Sequence, residues 1–164
     1  MLVGVLSDTH DNLPMIDRAT ACLRARGVEV LLHAGDYVSP FALKLIMRAG
    51  IPLIGVFGNN DGEKPGLQSV TADIFDGPHR FELDGRTILM AHDAGALVRA
   101  MTPDVVLAIW GHTHKPEVGA GPVLRVNPGE AGGWLSGRAT GAIVDLKKLL
   151  AEIIEFGRQE GPRI

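Results

Sequence analysis

Gly111-His112-Thr113-His114 sets two imidazoles at alternate positions directly beyond the apolar run 105–110. Two partly buried titratable rings are costly at such a place unless they coordinate something, so the pair points to a metal. Asp8 and His10 stand two residues apart after another apolar run. In a tight loop a carboxylate and an imidazole at that spacing can reach one cation at ~2.0–2.2 Å. Gly35-Asp36 follows a third run, where glycine lets the backbone turn sharply and aim the carboxylate into a crevice. Gly58-Asn59-Asn60-Asp61 offers an amide oxygen as a neutral ligand, although alone it reads equally as an Asn/Gly turn. His92 by itself reads as a satisfied structural histidine and becomes a ligand candidate only in company. Together Asp8, His10, Asp36, Asn59, His92, His112 and His114 form seven oxygen and nitrogen donors without sulfur.

The elements that must position them are legible from periodicity. Leu2–Leu6 reads as a buried strand. Asn12 is a candidate N-cap and Pro14 a first-turn proline; Ile16, Ala19 and Leu23 then recur at helical spacing until Gly27. Residues 30–32 give a second strand. Ser39 and Pro40 open a second helix, expected to turn Phe41, Leu45 and Ile46 inward and to end at Gly50 before a strand over 53–57. This β-α-β-α-β order implies parallel strands with crossover helices, whose carboxyl ends border a binding crevice. Further on, Asp84-Gly85 predicts a hairpin between 80–83 and 87–91, and hence a second sheet. A short helix over 96–101, a strand over 105–110, a hairpin over 117–126 and a strand over 140–146 follow. The segment after Lys147-Lys148 suits a helix by spacing, but its β-branched pair favours a closing strand. Residues 62–69 and 129–137 read as loops that shape the surface around the donors. All seven donors thus fall at the ends of predicted strands.

Composition narrows the class. The 164 residues are 46% hydrophobic and 21% charged, which excludes disordered, collagen-like and coiled-coil chains and suits one domain over 1–164. No apolar run approaches the ~20 residues of a bilayer span, and the N-terminus lacks a charged leader, so a cytoplasmic protein is expected. The lone Cys22 cannot form an internal disulfide and is expected to be a buried, inert thiol. A formal charge of −3 without a basic block gives no support for binding a long nucleic-acid backbone, so an anionic substrate must be attracted locally. His33 is expected to pack rather than ligate, His79 to be solvated in a turn, and Asn12 to cap its helix. Asp61 and Asp93 could accept hydrogen bonds from ligand histidines. Asn127-Pro128-Gly129 reads as a tight loop at the site mouth, and Trp110 and Trp134 as core and loop packing.

The ordered set Asp8-x-His10, Gly35-Asp36, Gly58-Asn59, His92 and Gly111-His-Thr-His114 resembles the calcineurin-like metallophosphoesterases, and in size their small archaeal and bacterial phosphodiesterases. The resemblance spans residues 1 to about 156. It implies a four-layer α/β/β/α sandwich of two mixed sheets around a dinuclear metal centre. By that resemblance Asp8, His10, Asp36 and His114 hold one metal, and Asp36, Asn59, His92 and His112 the second, with Asp36 bridging. Two cations ~3.5–4 Å apart do need a shared anionic ligand, and their net charge would draw a phosphate. The expected reaction is hydrolysis of a phosphoester by in-line attack of a metal-bridging hydroxide, phosphodiesters being favoured over monoesters. The donor mixture suits manganese, with iron, nickel or zinc as other occupants.

One position departs from the wider family, where a histidine often follows the metal-binding asparagine. Here it is Asn60, which cannot act as a general acid at neutral pH but can donate a hydrogen bond to a phosphoryl oxygen. The expected consequence is a preference for phosphodiesters with stable leaving groups, or a leaving-group proton delivered by water or by the substrate itself; a homodimer is compatible with the resemblance. The alternative is a non-catalytic protein-binding scaffold of the same fold, similar to the retromer subunit. A scaffold has no reason to keep seven ligand-competent positions, which favours catalysis.

Overall fold

The computed structural model describes residues 1–158. In chain order the elements are β1 (Leu2–Leu6), α1 (Leu13–Ala25), β2 (Val30–His33), α2 (Pro40–Met47), β3 (Leu53–Val56), α3 (Lys64–Val70), β4 (Ile74–Phe75), β5 (His79–Leu83), β6 (Arg86–Met90), α4 (Ala94–Arg99), β7 (Val105–Ile109), β8 (Glu117–Gly119), β9 (Leu124–Asn127), β10 (Arg138–Asp145) and β11 (Leu150–Arg158). One sheet runs β11-β10-β1-β2-β3-β4 and the other β5-β6-β7-β9-β8. β1 to β4 pair in parallel, and so do β6, β7 and β9, while β10, β11, β5 and β8 pair antiparallel. Both sheets are therefore mixed.

Alternation along the strands builds the layers. Val3 and Val5 of β1 meet Leu107 and Ile109 of β7 in the core between the sheets. Leu6 of β1 and Leu31 of β2 belong instead to the core beneath the helices, with Ile16 and Leu23 of α1 and Leu43 and Ile46 of α2. Leu97 of α4 packs on the outer face of the second sheet against Leu89 and Trp110. The result is the expected α/β/β/α sandwich. Among the described residues no helix is long and apolar enough to cross a membrane.

Local signals explain most boundaries. Asn12 caps α1, its side chain accepting a hydrogen bond from the Met15 amide, and Pro14 sits in the first turn. Asp84 and Gly85 both hold positive φ (51° and 68°), the geometry of a tight hairpin turn between β5 and β6. The segment after Lys147-Lys148 forms the strand Leu150–Arg158, as the β-branched pair favoured.

Four expectations are corrected. Phe41 is exposed, because the buried face of α2 is formed by Ala42, Leu43 and Ile46, a rotation of the helix away from Phe41. Cys22 is only half-buried on α1. His79 begins β5, where its ring is stacked at 3.9 Å on Phe75 and at 5.3 Å on Phe81 rather than free in solvent. Residues 62–69 contain most of α3, a helix whose Lys-Pro-Gly start hides its single buried anchor, Leu67.

Candidate metal centre

The seven donors lie just past the C-terminal ends of β1, β2, β3, β6 and β7, all strands with parallel neighbours. Five of them, Asp8, His10, Asp36, His112 and His114, hold positive φ between 42° and 67°. A non-glycine residue in that region costs on the order of 1–3 kcal/mol and persists only where its surroundings enforce it. Here the loops are laced together: the Asp8 amide donates to the Gly35 carbonyl (3.0 Å) and the His10 amide to the Asp36 carbonyl (3.1 Å). Glycine is required at Gly35, which has φ of 101° and where a Cβ would lie 2.7 Å from the Gly58 nitrogen.

Two groups of donors emerge. Ligand atoms of Asp8, His10 and His114 lie within 4.8 Å of one another, and so do those of Asp8, Asp36 and His92. His10 Nε2 and His114 Nε2 face each other at 3.4 Å, and Asp8 Oδ1 is 3.1 Å from His114 Nε2 and 3.6 Å from His10 Nε2. Asp36 Oδ2 stands between the groups, 3.7 Å from His10 Nε2 and 3.4 Å from His92 Nε2. Asn59 Oδ1 is 2.9 Å from His92 Nε2. His112 is exposed at the rim, its ring edge-on to His92 with centroids 5.1 Å apart, and its amide donates to Asp8 Oδ2.

The electrostatics fit a cation. Asp8 Oδ1 is fully buried yet receives no hydrogen bond of proper geometry. Burial alone would raise the Asp8 carboxyl, but contacts with His10, His114 and Ser7 outweigh it and hold it far below the usual carboxylate range. Asp36 is likewise lowered, its desolvation overcome by His92 and Asn60. The reciprocal effect pushes His114 up to about 10, through Asp8 first and Glu130 second. His92 is raised as well: desolvation opposes the shift, but Asp36 prevails. His92 Nδ1 lies 2.7 Å from the Ala34 carbonyl, a partner that can only accept, so Nε2 is the nitrogen left for the crevice. The protons drawn to these rings mark where positive charge is wanted, and a divalent cation satisfies the same demand.

Two buried carboxylates carry more of the site than the sequence suggested. Glu130 is fully buried, with Oε1 3.6 Å from His114 Nδ1, and it accepts hydrogen bonds from the Leu135 and Ser136 amides. Those contacts hold it at about 2 despite desolvation. It escaped sequence reasoning because it sits alone in a glycine-rich loop; its closeness to Asn127-Pro128-Gly129 was the only signal. Asp61 does not touch a histidine. It accepts from the amides of Asp36 (2.9 Å), Val38 (2.8 Å) and Gly58 (2.7 Å), joining the loops after β2 and β3 and restraining Val38, a β-branched residue at φ 79°. Burial raises its carboxyl, although these amides pull the other way. Asp93 caps α4 through the Ala96 amide.

The remaining residues sort as follows. His33 packs: its ring stacks on Tyr37 at 3.9 Å and its Nε2 is 3.3 Å from Thr9 Oγ1. Asn60 donates to Asp36 from both its backbone and its side-chain nitrogen, at 2.9 and 2.7 Å. Asn127 Nδ2 donates to the Gly111 carbonyl and to Thr113 Oγ1, bracing the His112–His114 loop. Trp110 is core, whereas Trp134 is exposed. Two cavities of about 340 and 350 Å³ open over the donors. A third, about 660 Å³ between α1 and α2, contains none of them.

Comparison with known proteins agrees with this geometry. Residues 1–149 match the calcineurin-like phosphoesterase superfamily domain. Phosphodiesterase MJ0936 of Methanocaldococcus jannaschii is 37% identical over 161 residues, covering 90% of this chain and 95% of that protein. A solved structure described as a novel archaeal phosphodiesterase superposes with a TM-score of 0.82 at 31% identity, covering 94% of this chain and 99% of that one. Vacuolar protein sorting 29 from Cryptosporidium parvum shares the fold, with a TM-score of 0.70 at 19% identity over 94% of this chain and 95% of its own. Ordered motifs, a double-sheet sandwich and converging Asp and His side chains lead to one assignment: the chain belongs to the calcineurin-like phosphoesterase superfamily.

Proposed function

We propose that this chain is a single-domain, metal-dependent phosphodiesterase. Asp8, His10, Asp36 and His114 would hold one divalent cation, and Asp36, Asn59, His92 and His112 a second, with manganese the favoured metal. The observation that carries the reading is the convergence of His10, His114, Asp36 and His92 on Asp8, whose buried Oδ1 lacks a proper hydrogen bond. Relatedness to an archaeal phosphodiesterase at 37% identity supports the diester.

When bound, the two cations supply Lewis-acid neutralisation of the phosphoryl oxygens and acidify the attacking water. The chain's own groups prepare that event. Asp36 lies between the two sets of rings, its Oδ2 facing both His10 Nε2 and His92 Nε2. Glu130 faces His114 Nδ1 and so favours the tautomer that leaves Nε2 toward Asp8. Asn60 steadies Asp36 and brings no acidic proton, so the best substrate has a leaving group that departs unprotonated.

The test is metal analysis of purified protein together with turnover of phosphomonoesters, phosphodiesters and cyclic nucleotides, with manganese and with chelator. About two metals per chain and chelator-sensitive diester hydrolysis are expected. One tightly held zinc without turnover, or a chain that takes up no metal, overturns the reading and favours the scaffold role.

A further inference from the structure

We infer that Trp134 is a stacking platform for a planar aromatic group on the diester, so that the substrate is a small, nucleotide-like phosphodiester; the inference rests on the phosphodiesterase reading. Trp134 is 56% exposed and the next residue, Leu135, is 83% exposed. Both line the 340 Å³ cavity that also contains His10, Asp36, His112 and His114. The indole is held in place: its Nε1 donates to the His10 carbonyl at 3.0 Å. The loop beneath it is held too, since Glu130 accepts the Leu135 and Ser136 amides and the Ala131 and Gly132 amides donate to the carbonyls of Ser7 and Asp8. A large apolar ring is thus presented to solvent at the edge of a polar, charged cavity, on a backbone tied to the ligand loops at several points. Its hydrogen-bonding edge is already engaged, which leaves its faces for contact.

A fixed indole face recognises a flat ring by stacking, independent of charge. That suits a chain with a net charge of −3 and no basic block in its sequence to follow a long polyanion. The phosphate would meet the donor cluster and the ring would lie on Trp134, so the platform selects the group attached to the phosphate rather than assisting bond cleavage.

The experiment compares two diesters with the same non-aromatic leaving group, thymidine 5′-(2,2,2-trifluoroethyl) phosphate and methyl 2,2,2-trifluoroethyl phosphate, on the manganese-loaded enzyme, following trifluoroethanol release by fluorine NMR. In parallel, indole fluorescence is titrated with thymidine monophosphate and with glycerol phosphate. The nucleoside ester should have a KM about tenfold lower than the methyl ester. Trp134→Ala should remove that advantage, raising KM for the nucleoside ester about tenfold more than for the methyl ester, and Trp134→Phe, which keeps a ring but not the Nε1 donor, should restore most of it. Saturable quenching by thymidine monophosphate, absent with glycerol phosphate and in Trp134→Ala, is expected. Equal losses for both esters in Trp134→Ala would show a loop support and overturn the platform, as would an unchanged nucleoside KM. If the wild type hydrolyses neither ester, the phosphodiesterase reading fails and the quenching alone decides: ring-specific quenching upholds the platform, and its absence overturns it.

Discussion

Glu130, shielded from solvent, faces the Nδ1 edge of the His114 ring at 3.6 Å, while the opposite edge, Nε2, faces Asp8 at 3.1 Å. The ring is thereby clamped between two carboxylates with different tasks. Replacing Glu130 with Gln keeps an acceptor for the loop amides but removes the charge opposite Nδ1. Metal affinity should fall about 10–100-fold, as for other partners that orient a ligand histidine. A chelator-competition titration reads this directly.

Asp36→Ala removes the carboxylate standing between His10 and His92. Turnover should fall by at least about a thousandfold and both metals should loosen, with the circular dichroism of the folded chain retained. Full metal-dependent turnover in this variant contradicts the shared-ligand role.

Asp61→Ala leaves the amides of Asp36, Val38 and Gly58 without their common acceptor. Each unsatisfied buried amide costs about 1–3 kcal/mol, so a loss of roughly 2–4 kcal/mol is expected after partial rescue by water. Urea denaturation of the chelator-treated protein measures it.

His33 titrates abnormally: burial outweighs the attraction of Asp8 and Asp36 and lowers it to about 3. Its ring is neutral in the native state, whereas the unfolded chain takes up a proton below about 6.5. The unfolded state therefore binds more protons between about pH 6.5 and 3, and stability falls as pH falls through that window. His33→Gln should flatten this decline by roughly 2–3 kcal/mol at pH 4, seen as a smaller shift in urea midpoint between pH 7 and 4.

Asn60→His restores a titratable group beside Asp36. The variant should accept diesters with poorer leaving groups and show a new acidic limb in its pH profile. An unchanged substrate range would count against the missing proton donor.

How much could be foreseen depended on whether the signal was local. Asn12, Pro14 and Gly27 delimit α1 without tertiary help, and Asp84-Gly85 fixes the hairpin because both positions take positive φ. The donors were legible because each follows an apolar strand. Glu130 and Asp61 were not, because their partners are backbone amides and a ring brought close only by the fold, and carboxylates in turns look alike in sequence. Phe41 misled because helical spacing leaves the rotation of a short helix open, and it is Ala42 and Leu43 that the sheet covers. His79 reads as a solvated turn residue in the sequence because its stacking partners, Phe75 and Phe81, belong to the strand before it and to its own strand, a pairing only the fold reveals.

The left-handed backbone at Asp8, His10, Asp36, His112 and His114 ties ion uptake to the integrity of the whole chain. An unravelled polypeptide rarely visits those five conformations together, so it offers no comparable grip. Any ion seated there favours the native ensemble by mass action, and each tenfold rise in its free concentration above the dissociation constant adds about 1.4 kcal/mol. Thermal resilience would then follow the supply of metal as closely as it follows the hydrophobic interior.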